Sequence, residues 1–451
     1  MFSIKSRWVL GALLFFAVAG VQAQQKPMTL EECVTYALSN NINVQNAQLE
    51  TLASKATVGE TRAQGLPQIS ATIDFTRNLL IPRVFLPANI FDPSAPEGET
   101  AAAKFGVDYQ GNMVVSVSQL IFDGSYFVGL RAAATYRELA DWDKVRTEIE
   151  TIETVRKAYY SVLVNEERLE LLNKNVSRLD TLLKETKAMY ANGFAEKIDV
   201  SRIQVQYNNI KVERDNVAEL QGISIQLLKL QMGMPLVEEI QLVGSLSDFI
   251  GEIDYAIDAT AEVNYNDRVE YKLNATNLEL ADLDLKNNQV QYMPKLNAFG
   301  NWGRNTGTDD FSRLWQNDSW FSNSAVGLSL NIPIFDGLAK SYRVQKNRIQ
   351  INQLENQRRF LEDNIQLEIR QARQSLKNSL AKLEAQKENR DLANEVFRVT
   401  KAKYQQGVGS NFELVEAETS LKEAETNYFA AIYDALIAQV ELEKALGTLN
   451  Q

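Results

Sequence analysis

The side chains able to do chemistry in this chain of 451 residues are carboxylates and lysines, because histidine is absent. That removes the commonest general base, triad member and metal ligand. No Gly-rich phosphate loop, CxxC pair or HExxH is present, so no nucleotide, metal or other cofactor is expected. The single cysteine, Cys33, can make no internal disulfide and reads as a small buried helix residue. What remains is electrostatic. Glu413 and Glu416 are three apart, which places both carboxylates on one helix face. With 58 acidic residues in the chain, an ordinary solvated face is the alternative. Tyr190-x-x-Gly193 and Tyr404-x-x-Gly407 stand where apolar periodicity fades, and the glycines suit helix C-caps in left-handed geometry. A net charge of −11 argues against nucleic acid or an anionic membrane surface as partner.

The elements that carry these groups are long helices. From Gly124 to Gly233 there is no proline, and Ile149, Ile152, Val155, Tyr159, Val162, Leu169, Leu172, Val176, Leu179 and Leu183 trace one seam. Its spacing drifts from 3.6 toward 3.5 residues per turn, the mark of a coiled coil. After the Gly193 stop, Ile203, Tyr207, Ile210, Val217, Leu220, Leu227 and Leu230 restart it. The expectation is a hairpin: a long arm over 125–190 of roughly 100 Å, a tight turn, and a return over 197–232. Such a rod spans something.

The chain also repeats. Ile121-Phe-Asp-Gly124 recurs as Ile334-Phe-Asp-Gly337, Tyr190-x-x-Gly193 as Tyr404-x-x-Gly407, and Gly233 as Gly447, at a nearly constant offset. A duplicated unit is the economical explanation. Ahead of each long arm lie a helix, a proline stop and two strands. In the first half these are helices over 29–40 and 42–64, Pro67, and strands over 69–76 and 113–122 joined by a proline-rich loop over 78–110. In the second half they are a helix over 267–291, Pro294, and strands over 295–303 and 326–332. Ile69, Ala71, Ile73 and Phe75 alternate with Ser70, Thr72, Asp74 and Thr76. Such strands suit either a half-buried soluble sheet or a membrane-spanning one. A lone four-stranded sheet in lipid would leave open edges, and the smallest membrane barrels need about eight strands, so spanning strands imply oligomerisation. Residues 1–23 read as a secretory signal, with Lys5 and Arg7 before an apolar run and cleavage after Ala23.

Taken together, the motifs resemble the outer membrane efflux protein family, the TolC-like channel-tunnels. The carriers are Leu30-x-x-Cys33-x-x-x-Ala37-Leu-Ser-Asn40, the IFDG joints and the paired Tyr-x-x-Gly turns. The most telling are Tyr404-Gln-Gln-Gly407 with Phe412-Glu-Leu-Val-Glu-Ala417, and the closing Ala445-Leu-Gly447-Thr-Leu-Asn450. The resemblance implies an α+β membrane protein. Long antiparallel helical hairpins form a trimeric α-barrel tunnel, joined to a twelve-stranded outer-membrane β-barrel with four strands from each protomer. The organisation expected is a signal peptide (1–23), a first repeat (24–234) with a β-hairpin at 68–122 and helical hairpin at 125–232, and an equatorial segment (235–265). A second repeat (266–451) follows, with hairpins at 295–335 and 337–447.

The resemblance further implies an outer-membrane exit duct extending into the periplasm. It would serve a tripartite efflux or type I secretion system as a homotrimer in outer-membrane lipid. Its partners would be a periplasmic adaptor protein and an inner-membrane pump or ABC transporter. Gating would sit at the periplasmic end. Asp199 and Tyr404 match positions that bond the two helical hairpins together in relatives, with a packing residue the alternative for Tyr404. Glu413 and Glu416 match acidic residues that project into the pore, and the turns of Tyr190, Gly193, Tyr404 and Gly407 match adaptor-docking turns. Gly409 stands where the best-studied gate has a basic side chain; Lys197 is a possible substitute. Trp302, Trp315, Trp320, Phe311 and Phe321 suit an interfacial girdle or loop packing equally. No enzyme is expected. The other reading is a periplasmic coiled-coil scaffold or stalk without a pore.

Overall fold

A computed structural model describes residues 26–251 and 264–449. The signal segment 1–23, residues 252–263 of the equatorial segment, and Asn450 of the closing motif lie outside the described residues. The described residues divide into two compact units, and the two longest helices each contribute to both.

The first unit, residues 45–147 and 262–368, is built on strands β2 (Gln68–Arg77), β5 (Tyr109–Phe122), β7 (Lys295–Thr308) and β8 (Phe321–Asn331). They form an antiparallel sheet in the order β2-β5-β7-β8. Ile69 lies opposite Val117, Val117 opposite Gly300, and Gly300 opposite Val326. Directly paired residues share a face. The register therefore gathers Ile69, Ile73, Val115, Trp302, Val326 and Leu328 on one side, and Ser70, Ser116, Asn301 and Ser329 on the other. The apolar face stays open, with Ile69 71% and Val326 90% exposed. Both edges, β2 and β8, lack a further strand among the described residues.

The strands outrun the lengths that alternation suggests. β7 continues through Asn305, Thr306, Gly307 and Thr308, where no apolar residue marks the pleat. The proline-rich loop contains its own antiparallel pair, β3 (Arg83–Pro87) and β4 (Thr100–Lys104). Phe75 packs 5.5 Å from Trp315 and Tyr109 packs 5.4 Å from Phe311 (ring centroids). Phe311 and Trp315 thus pack on these strand aromatics and on each other, at 6.2 Å, at this end of the sheet, while Trp302 stands on the apolar face. The two IFDG joints also differ. Gly124 opens helix α3 (Gly124–Ala191) directly, and a Cβ there would meet that of Val290, the last residue of helix α6 (Val269–Val290), at 2.8 Å. Gly337 and Leu338 both take positive φ before helix α7 (Ala339–Gln405) begins.

The second unit is helical. It holds α1 (Leu30–Asn40), the later part of α3 (Gly124–Ala191), α4 (Lys197–Met232), the later part of α7 (Ala339–Gln405), and α8 (Asn411–Leu446). The seam drawn from sequence is its core: Ile152, Val155, Tyr159, Leu172, Leu179 and Leu183 of α3 are buried, with Ile203, Ile210 and Val217 of α4. Beyond Val217 the expectation fails. Leu220, Leu227 and Leu230 are exposed, because the buried line continues through Ser224, Leu228 and Met232 instead. A serine within the seam hid the change of face.

Where 235–265 is described it is ordered against the helices. Strand β6 (Ile240–Leu242) pairs in parallel with β1 (Lys26–Met28), and Tyr159 Oη donates to the Val243 carbonyl at 2.6 Å. The ring of Phe249, in the short helix α5 (Leu246–Gly251), packs on Tyr160 at 5.3 Å. Asn41 joins α1 to α2 (Ile42–Ala63): its Oδ1 accepts from Asn43 N–H, and its Nδ2 donates to the Gln231 carbonyl at 2.7 Å. Gly233 closes that contact. Its φ is 71°, and a Cβ would meet the Asn40 oxygen at 2.4 Å. Gly193 has φ 81° with nothing within 4 Å of such a Cβ. Gly233→Ala is therefore expected to cost ~3 kcal/mol from backbone strain plus overlap, and Gly193→Ala about 1 kcal/mol from strain alone. Denaturant unfolding of the two variants measures the difference, and equal losses would contradict it.

Candidate functional site

The sequence-derived site residues fall at the two turns of the helical unit, α3–α4 and α7–α8. Both turns are built alike. Gly193 N–H donates to the Tyr190 carbonyl and Phe194 N–H to that of Met189; Gly407 and Val408 repeat this with Tyr404 and Lys403. Both glycines have positive φ, so the caps are left-handed as their spacing suggests. Each following helix opens on a carboxylate that reaches back one turn. Asp199 accepts from Glu196 N–H at 3.0 Å, and Glu413 from Ser410 N–H at 3.5 Å while Ser410 Oγ accepts from Glu413 N–H. Asp199 and Glu413 thus occupy equivalent places in the two turns, and each caps a helix. Glu416 shares the exposed face with Glu413.

The two tyrosines part company. Tyr190 is 47% exposed, whereas Tyr404 is 6% exposed within an apolar cluster with Phe397, Leu414, Leu421, Leu179 and Ile203. Its hydroxyl has no hydrogen-bond partner among the described residues. Asp199 and Tyr404 are therefore not bonded to each other in the single subunit. At Gly409 a Cβ would stand 3.0 Å from both Lys403 Cβ and Tyr404 N, so the tight turn itself disfavours the missing basic side chain. Lys197 is exposed at the first position of α4.

Sequence reasoning overlooked a second set of polar groups, inside the seam. Arg178 of α3 meets Glu418 of α8 at 2.9 Å and lies over the Phe397 ring of α7 at 4.8 Å. Asn175 Nδ2 donates to Glu425 at 2.8 Å. Glu213 of α4 pairs with Arg168 of α3 at 3.2 Å and with Lys422 of α8. Burial alone would raise the Glu213 carboxyl, but Lys422 and Arg168 outweigh it and hold the group below its ordinary range. Glu418 and Glu425 are seven residues apart, as are Leu414 and Leu421, and all four are buried. Acids at heptad spacing among seam leucines were the signal. The turns also present apolar side chains to solvent: Phe194 is 80%, Val408 79% and Phe412 62% exposed.

Comparison with known proteins places this geometry. The chain is 22% identical over 352 residues to the alkaline protease secretion protein AprF of Pseudomonas aeruginosa, covering 75% of this chain and 69% of that protein. It is 20% identical over 446 residues to the outer membrane protein TolC of Salmonella enteritidis, covering 98% and 87%. Among solved structures, the Campylobacter jejuni CmeC outer membrane channel matches with a TM-score of 0.71 at 16% identity, covering 93% of this chain and 85% of that one. At that identity the likeness shows the fold. The model of the outer membrane efflux protein family matches residues 34–227 and 274–448. The chain accordingly belongs to the outer membrane efflux protein family, and is an outer-membrane transport protein of a family of channels, not of enzymes.

Proposed function

We propose that the chain is one of three identical subunits of an outer-membrane exit duct. Small molecules or proteins would pass through it passively, delivered by an inner-membrane pump or ABC transporter coupled through a periplasmic adaptor. The observation that carries this reading is the sheet. Its apolar face is open and both its edges are unpaired among the described residues, as a third of a wall would be before its neighbours close it. Three copies would supply the twelve strands of a barrel wide enough for an open lumen. In this reading the α7–α8 and α3–α4 turns form the closed periplasmic end. The exposed Phe194, Val408 and Phe412 around Gly193 and Gly407 are the surface offered to the adaptor. Native extraction tests the proposal: a detergent-requiring trimer that conducts ions supports it, and a water-soluble monomer supports the stalk.

Rings of Glu413 and Glu416 would favour cations. Because Glu413 is turned back onto its own helix cap, Glu416→Gln should lower cation selectivity more than Glu413→Gln, and the pair together most. Reversal potentials across a salt gradient measure this; unchanged selectivity in the double variant would remove the ring.

Asp199 and Tyr404 are proposed to tie the hairpins only in the assembled, closed trimer. Tyr404→Phe alone should leave subunit stability within about 1 kcal/mol, since it removes a buried hydroxyl without a partner. Asp199→Ala with Tyr404→Phe should raise leak of large solutes, read by antibiotic uptake in cells. Unaltered uptake would count against this pair as the gate.

A further inference from the structure

The seam between α3 and α8 contains an amide that is only half satisfied. Asn175 is 1% exposed and Glu425 8%. Asn175 Nδ2 donates to Glu425 Oε2, while Asn175 Oδ1 is buried with no hydrogen-bond partner among the described residues. Exchanging the amide's oxygen and nitrogen would not help, since it would aim the oxygen at a carboxylate. A carboxylate only accepts, whereas a carboxylic acid can also donate. The orphaned oxygen gains a partner beside it when Glu425 carries a proton. Oε1–H then donates to Oδ1 while Nδ2–H still donates to Oε2, the proton having come from solvent.

We propose that Glu425 is a proton-binding site whose neutral form pairs with Asn175 through two hydrogen bonds, drawing α8 onto α3 and holding the duct's end shut in acid. The gating half of this rests on the reading of the chain as a gated duct; the proton site does not. The charged groups facing Glu425 are Arg178 from α3, Arg390 from α7 and Glu418 from α8 itself. Burial is the largest influence and sets the carboxyl above its ordinary 4.5, although the Asn175 hydrogen bond and the two arginines favour the ionised form; Glu418 favours the neutral one. A raised carboxyl means that the folded seam binds the proton more readily than the unfolded chain. Stability is therefore gained as pH falls through the folded value and lost as pH rises.

The test uses full-length protein in planar bilayers, in an E413Q/E416Q background that removes the exposed acids of the same helix. Between about pH 7.5 and pH 5 the reference channel should lose conductance as pH falls. Adding E425Q, whose amide donates and accepts at every pH, should fix the low-conductance behaviour and abolish this dependence. Full retention of the dependence in E425Q would overturn the gating role. Thermal unfolding of the wild type and E425Q reads the proton site without any pore. The gap between their melting temperatures should close as pH falls, and N175L should shift the pH at which it closes. A gap constant across the range would overturn the site. A closing gap in protein that never conducts would support the site and sink the duct reading alone.

Discussion

Backbone N–H and C=O groups must be paired wherever water is excluded, and this requirement governs the sheet of the first unit. Among the described residues, strands β2 and β8 each present a row of unpaired groups, while the face carrying Ile69, Ile73, Trp302 and Val326 is apolar and open. In water the apolar face is the fault, because soluble proteins do not leave so large a patch uncovered. In lipid the face is suited and the edges become the fault. In the proposed trimer, lipid covers the face and neighbouring copies of the sheet pair the edges, which is why a fraction of a wall can be a sensible subunit.

The helical unit answers to a different balance. Its seam is apolar from Ile152 to Leu183, yet Arg178–Glu418, Asn175–Glu425 and the Glu213 pairs with Arg168 and Lys422 interrupt the packing. Buried ion pairs contribute little net stability compared with apolar residues of similar size, but removing one partner is costly. Such pairs specify which helix faces meet while leaving the contact less tightly bound than a leucine seam. That suits hairpins proposed to move against each other. These polar ties cluster on one face of α8, at Glu418, Lys422 and Glu425, so that face carries a set of contacts such a movement must break.

Much of this was legible in the residues. Proline and glycine placement marked the helix ends, and alternation marked one face of each strand. The seam of α3 fixed its buried side because its period is set by the helix itself. What escaped notice had a physical reason in each case. The distal end of β7 is Asn-Thr-Gly-Thr, whose strand character comes from pairing with β5 and not from its own side chains. The β3–β4 pair lies within a proline-rich stretch, where local chemistry argues for loop. Leu220, Leu227 and Leu230 were assigned to the wrong side because Ser224 takes a seam position. The site was legible in its turns but not in its interior. Gly193 and Gly407 announce caps by type and spacing, whereas the burial of Glu418 and Glu425 follows from packing against α3.

The central claim is that the open edges of one sheet are closed by its neighbours, and cysteine cross-linking across that seam tests it most directly. Single cysteines scanned along the polar face of β2, at Ser70 and Thr72, would be paired with cysteines along the same face of β8, at Asn323 and Ser329, in protein whose Cys33 is replaced by alanine. The account predicts disulfides between different chains, in one consistent register, yielding covalent trimers that persist in denaturing gels. Cross-links confined within single chains, or none at any register in the native membrane, would contradict it.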